Sequence, residues 1–326
     1  MDRILMSIEQ DYIDLFTGTR KAHMAKYVYM YRPYIYEGIL GQDAYYPFKM
    51  ESNLLTQTSK EICKNFQGIT HVLEMGPGSH TAITSKTVPF LRALKEHIGF
   101  STYKAIDATL EYAEEACKII ENHFNNIKTQ ALEVDFLSTN AFQIIENELH
   151  PNDKKLIISF GQYIFGNSND TDIEVLIGNI GSFLNKNDYL LFGTDTNQDE
   201  ALLESAYSTK MGQELLLNAM YYLKFTLNLK NFNPEAFEHM YRWNSQERTV
   251  ELLLKATADQ AIKIRNKSII IDKGQEFNIL NSRKPSIETV KKYLAKENIV
   301  IKNVISSDMD KANKFSIIIA EKMPSF

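Results

Sequence analysis

Between Thr70 and Gly193 the chain carries five short apolar runs: Thr70–Glu74, Thr102–Ile106, Lys128–Val134, Lys155–Phe160 and Tyr189–Gly193. Helical patterns fill the gaps, at Lys86–His97, Leu110–Phe124, Ala141–Glu148 and Asp172–Phe183. Runs that are continuously apolar, rather than alternating, suit strands buried on both faces. Strands and helices taking turns in this way specify a parallel sheet covered by helices. The expected fold class is α/β, with a doubly wound sheet. A helix over Leu54–Phe66 leads into it.

Beyond the fifth run the rhythm breaks. Residues 197–284 read as a long helical stretch, Glu200–Leu227, and then β-like runs at Thr249–Ala256, Ala261–Arg265, Ser268–Ile271 and Glu276–Leu280. The tail returns to the first pattern, with a helix over Ser286–Glu297 and strands over Ile299–Ser306 and Phe315–Ala320. A closing hairpin of this kind adds an antiparallel strand to a parallel sheet. The expected organisation is a sheet domain from residues 55–196 and 285–326. A second, α+β domain then comes from 1–54 and 197–284, its first part rich in tyrosine.

In an open α/β sheet, ligands lie beyond the carboxyl ends of the strands, near the point where strand order reverses. The first run ends in Glu74-Met75-Gly76-Pro77-Gly78, an acid and then two glycines one residue apart. Glycine admits positive φ and has no Cβ, so this turn can approach a ligand closely. Asp107 follows the second run and is placed to accept both hydroxyls of a ribose. Asp135-Phe136 follows the third and offers an edge and a face to an adenine. Gly161 opens the segment after the fourth, Gly161–Asn167. A pyrophosphate fingerprint needs a third glycine three positions after Gly78, where this chain has Thr81. Two glycines without the third suit a nucleoside ligand that has no pyrophosphate.

Bulk properties exclude other classes. Net charge is -5 across 326 residues and no basic stripe stands out, so no nucleic-acid partner is expected. An enzyme acting on a flipped base would need a proline motif after the fourth run, and Gly161–Asn167 has no proline. Cys63 and Cys117 form no metal-binding spacing, so no metal is expected. No apolar run approaches a membrane span, and the amino terminus has no signal-peptide core. A cytoplasmic location is expected, with no membrane partner.

The strand-end residues and the reversed last strand together resemble the S-adenosylmethionine (SAM)-dependent methyltransferases with a Rossmann-like sheet. The blocks Ala44-Tyr45-Tyr46-Pro47, Phe192-Gly193-Thr194-Asp195, Ala206-Tyr207 and Arg242-Trp243-Asn244-Ser245 are similar to the histidine-specific methyltransferase family. That family includes enzymes that methylate the α-nitrogen of histidine and the nitrogen of dimethylallyltryptophan. The resemblance implies a SAM cofactor and a small amino-acid-like substrate held between the two domains. It implies cofactor contacts at Asp107, Asp135 and Phe136, beside which the strand-end residues Glu74, Gly76, Gly78 and Gly161 are expected to line the same cofactor. Asn167 and Tyr207 match residues that hold the substrate's carboxylate and amine end. Tyr29 matches a tyrosine near the reacting nitrogen, Tyr45 a pocket tyrosine of the Tyr-Tyr-Pro motif, and Tyr36 an aromatic wall; Tyr29 and Tyr45 are expected to position the amine.

Two departures follow from the same resemblance. Ala82, beside Thr81, stands where the family carries a lysine that reaches the cofactor's carboxylate. Ser282 keeps the family's serine, but Leu280 stands where a glutamate grips the imidazole of histidine. A site that has lost a buried hydrogen-bond acceptor discriminates poorly for the group that needed it. Leu280 with Leu252 suits an apolar or aromatic side chain, so strict histidine specificity is not expected. Two alternatives stand beside this expectation. A shifted register would bring Glu276 into the acidic role and restore histidine, or the chain binds the cofactor without turnover.

Overall fold

The computed structural model describes residues 2–19, 24–138, 141–146, 149, 153–307 and 315–324. In chain order the strands are β1 (His71–Met75), β2 (Thr102–Asp107), β3 (Lys128–Glu133), β4 (Lys155–Ser159), β5 (Tyr189–Asp195), β6 (Phe237–Asn244), β7 (Thr249–Ala256), β8 (Gln260–Ile264), β9 (Lys267–Ile271), β10 (Glu276–Arg283), β11 (Ile299–Ser306) and β12 (Phe315–Lys322). The chain divides into a sheet unit, Tyr46–Asp199 with Arg283–Phe326, and a second unit, Met1–Tyr45 with Glu200–Ser282. The first border falls at 45/46 rather than 54/55, because the helix runs from Tyr46 to Cys63 and packs as a whole with the sheet unit.

The sheet unit holds one seven-stranded sheet in the order β11-β12-β5-β4-β1-β2-β3. From β1 the chain winds outward in parallel through β2 and β3, then returns to β4 and winds the other way through β5. Order therefore reverses between β1 and β4, which are hydrogen-bonded neighbours. The last strand in the sequence is not at the edge. β12 inserts between β5 and β11 and runs antiparallel to both.

Burial explains why these segments read as unbroken apolar runs. Every residue of β4 and β5 is buried. Alternate residues of each strand feed opposite faces. Val72, Ala105, Ile158 and Leu191 join one core with Leu55, Ile62, Leu91 and Ile120 from the covering helices. Leu73, Ile106, Ile157 and Phe192 join the other with Ile173, Leu176, Val290 and Leu294.

The second unit has a three-stranded sheet, β10-β7-β6, and a two-stranded ribbon of β8 and β9. Two expectations fail here. The helical stretch after residue 200 is two helices, Glu200–Tyr207 and Lys210–Thr226. Thr209 breaks it by leaving helical geometry and capping the second helix, its hydroxyl accepting the Gly212 N–H at 3.0 Å. β6 was not expected as a strand, since Glu238, His239 and Arg242 interrupt its apolar residues. It forms by pairing along its whole length with β7.

Candidate functional site

The turn after β1 is built on positive backbone angles, φ 68° at Gly76 and 75° at Gly78. These are left-handed conformations that residues with a Cβ avoid. The Gly76 N–H donates to the Ile106 carbonyl of β2 at 2.8 Å, fixing the turn at the strand ends. A Cβ on Gly76 would lie 3.9 Å from the ring of Tyr163, on the short helix after β4. Tyr163 in turn meets Phe136 edge to face, 5.4 Å between centroids. The segments after β1, β3 and β4 thus converge on one aromatic pair beside the reversal point. Tyr163 went unremarked in the sequence because neither its spacing nor its type distinguishes it from the chain's other tyrosines.

Asp107, half-buried at the end of β2, accepts the Thr109 N–H at 2.9 Å. Burial pushes its carboxyl up to about 7, and only backbone N–H groups of Thr109 and Ala108 pull it back. A carboxyl with amide donors and no cation suits the hydroxyls of a ribose. Asp135 accepts the Leu137 N–H at 3.1 Å, and the Phe136 side chain is buried directly after it. The open glycine turn, the half-buried acid and the aromatic pair fit an adenosyl cofactor.

Glu74 does not join them. Its two carboxylate oxygens accept the hydroxyls of Thr87 and Tyr103. Burial raises it to about 6 against the pull of those two bonds. The side chain of Glu74 ties β1 to Thr87 and to Tyr103 of β2.

A lysine does reach the strand ends, from four residues beyond Ala82. The helix after the glycine turn widens into a π-helical turn over Ile83–Thr87. Such turns re-aim side chains and recur at functional sites. Lys86 lies on it, buried, its Nζ 3.1 Å from Glu51 Oε2 and 3.5 Å from where a Cβ of Gly161 would be. Lys86 thus places a cation beside the end of β4.

A second buried lysine explains two sequence blocks. Asp195, at the end of β5, accepts the Tyr46 hydroxyl at 2.6 Å and pairs with Lys284 at 2.9 Å through the same oxygen. Its other oxygen accepts the Asn197 N–H at 2.9 Å. Burial lowers Lys284 and Asp195 opposes that shift. The second tyrosine of Tyr45-Tyr46-Pro47 and the acid of Gly193-Thr194-Asp195 are thus partners. Asn167 lies half-buried in this same unit, closing the short helix Tyr163–Gly166 after the left-handed Gly161 and Gln162.

The remaining expected residues lie in the second unit. Tyr207 Oη is 2.9 Å from Ser282 Oγ, in a buried pair. Tyr45 meets the Tyr207 ring edge on, 5.8 Å between centroids. Tyr29 and Tyr36 form another edge-to-face pair at 5.2 Å. Leu252 and Leu280 are both buried. Ile279 and Leu280 are buried in succession, so the alternation of β10 shifts by one and carries Leu280 and Ser282 inward together.

Glu276 is exposed and pairs with Arg242 at 2.7 Å, and Arg242 also reaches Glu251 at 3.4 Å. Arg242 thus clamps three strands, which is the structural use of the Arg-Trp-Asn-Ser block. Glu276 is therefore engaged at the surface with Arg242, whereas Ser282 is buried. Among the described residues there is no cluster able to hold a metal ion. None of their helices is long and apolar enough to cross a membrane.

Residues 8–322 match the family described as "Histidine-specific methyltransferase, SAM-dependent". A histidine N-alpha-methyltransferase of Mycobacterium tuberculosis (strain CDC 1551 / Oshkosh) is 24% identical over 73% of this chain and 71% of its own length. The enzyme of the same name from Mycolicibacterium smegmatis has the same identity and the same coverage. The crystal structure of a SAM-dependent methyltransferase from Clostridium acetobutylicum superposes with TM-score 0.46 and 13% identity, over 90% of this chain and 98% of that one.

Proposed function

The chain belongs to the histidine-specific, SAM-dependent methyltransferase family, and from that premise we propose that it methylates the nitrogen of a small amino acid whose side chain is apolar or aromatic. The observation that carries this reading is the Tyr207–Ser282 hydrogen bond, packed by Tyr45, with Leu280 buried two positions earlier. A polar end for an amino-acid backbone and an apolar end for a side chain lie on one strand.

The cofactor supplies an electrophilic methyl on a sulfonium, so the protein need only bind, align and manage a proton. Asp107 accepts the ribose hydroxyls, and Phe136 and Tyr163 provide faces for the base. Lys86 takes the carboxylate of the cofactor's amino-acid portion, the role the resemblance gives to a lysine four residues earlier. Asn167 and Tyr207 hold the acceptor's carboxylate and amine end. Tyr29 and Tyr45 orient the amine, their hydroxyls accepting its N–H and relaying its proton onward to solvent. Alignment of this kind supplies several kcal/mol of a methyl-transfer barrier.

The test is calorimetry on Asn167→Ala with each ligand separately. Acceptor affinity is expected to fall far more than affinity for S-adenosylhomocysteine, and equal losses would sink the assignment. A mass-spectrometric screen of the twenty amino acids and cell extract for methylated products identifies the acceptor.

A further inference from the structure

The loop after β4 turns through two successive left-handed residues, Gly161 at φ 87° and Gln162 at φ 66°. For Gln162 that conformation is disfavoured, so something must hold it. The Gly161 N–H donates to Glu51 Oε2 at 2.8 Å. The same oxygen takes Lys86 Nζ at 3.1 Å. Glu51 is fully buried on the helix Tyr46–Cys63, a segment that carries none of the expected cofactor contacts.

One carboxylate oxygen therefore joins three elements: a helix that precedes the sheet, the π turn after β1 and the loop after β4. Burying a lysine is costly unless it is paired and hydrogen-bonded. Glu51 pairs with Lys86 at 3.1 Å and anchors it beside Gly161. An ammonium has three donors, so one bond to Glu51 leaves others for a second carboxylate.

We propose that Glu51 is a positioning residue for the methyl donor, holding Lys86 aimed at the carboxylate of the donor's amino-acid portion while fixing the Gly161 turn. It acts through Lys86 and the Gly161 amide. The inference rests on the reading of Lys86 given above and goes beyond it to the group that makes this lysine usable.

The test compares S-adenosylhomocysteine with 5′-methylthioadenosine, which shares the nucleoside but lacks the amino-acid portion. Binding of both is measured by calorimetry to the wild-type chain and to Glu51→Gln. The wild type is expected to prefer S-adenosylhomocysteine. Glu51→Gln should weaken that ligand about tenfold, as loss of a charge-assisted contact does, and leave methylthioadenosine within about twofold. An unchanged preference, an increased one, or equal weakening of both ligands would overturn the proposal.

Should Glu51→Gln fail to fold, Glu51→Leu with Lys86→Met buries no charge and keeps similar volume, an exchange that buried ion pairs often tolerate. That pair is expected to lose the preference, and retention of it would overturn the proposal. If the wild type binds neither ligand, the donor reading fails first, and the two failures are told apart.

Discussion

Glu51 and Gly193 compete for one volume: a Cβ on Gly193 would fall inside contact distance of Glu51 Oε1 and within 2.9 Å of two carbons of the Phe315 ring. The glycine of Phe192-Gly193-Thr194-Asp195 is thus required by close approach, since its φ is not in the left-handed region. Gly193→Ala should destabilise the chain by about 1–3 kcal/mol, the usual range for overpacking a dense core. Urea denaturation measures this. A midpoint unchanged from wild type would mean that Glu51 does not occupy that space.

The Asp195–Lys284 pair predicts a strongly non-additive double mutant. Both groups are fully buried, so Lys284→Met leaves an uncompensated carboxylate and should cost about 3–5 kcal/mol. Adding Asp195→Asn removes that charge while the amide oxygen can still accept the Tyr46 hydroxyl. The double variant should recover at least part of the loss, seen as a higher denaturation midpoint than that of Lys284→Met alone. Simple additivity would show that the pair is not coupled.

Much of the sheet was legible because β4 and β5 are buried at every position, and only full burial on both faces makes a run as unbroken as Leu190-Leu191-Phe192. β6 was not, because its half-exposed residues read as irregular until β7 is alongside. The same contrast holds in the site. Asp107 and Asp135 stand at strand ends, where position alone suggests a role. Lys86, Glu51 and Lys284 act through partners 35, 35 and 89 residues away, and no local pattern encodes a pairing that distant. Glu74 misled for the complementary reason: its place matches a ligand contact, and only Tyr103 and Thr87 reveal that its oxygens are engaged.

Asp107 gives cofactor binding a pH dependence. Its carboxyl titrates at about 7, raised by burial. Ribose hydroxyls donate to the ionised form, so binding lowers this pKa and releases protons below it. Affinity for S-adenosylhomocysteine should therefore rise as pH goes from 6 to 8 and level off above. Calorimetry in buffers of different ionisation enthalpy should detect proton release at pH 6.5, and Asp107→Asn should abolish it. The free protein behaves in the opposite sense. A raised folded-state pKa contributes stability that is present below the unfolded value and lost as pH rises through about 7. Affinity falling between pH 6 and 8 in the wild type would contradict the assignment.

Leu280 predicts a gain of function. It is buried on β10 two residues before Ser282, whose hydroxyl meets Tyr207. Leu280→Glu places a carboxylate where the resemblance expects one for an imidazole N–H. Without ligand, that carboxyl is buried and poorly solvated, so its pKa should rise and the free variant should lose about 1–3 kcal/mol of stability. A ligand able to donate a hydrogen bond to it offsets this loss, whereas an apolar side chain does not. Histidine should therefore raise the melting temperature of Leu280→Glu while leaving the wild type nearly unmoved, and activity toward apolar amino acids should fall as activity toward histidine rises. Methyl transfer assayed across the twenty amino acids, in parallel with thermal shifts, checks both halves. If histidine neither stabilises the variant nor becomes a better acceptor, Leu280 is not in contact with the acceptor's side chain.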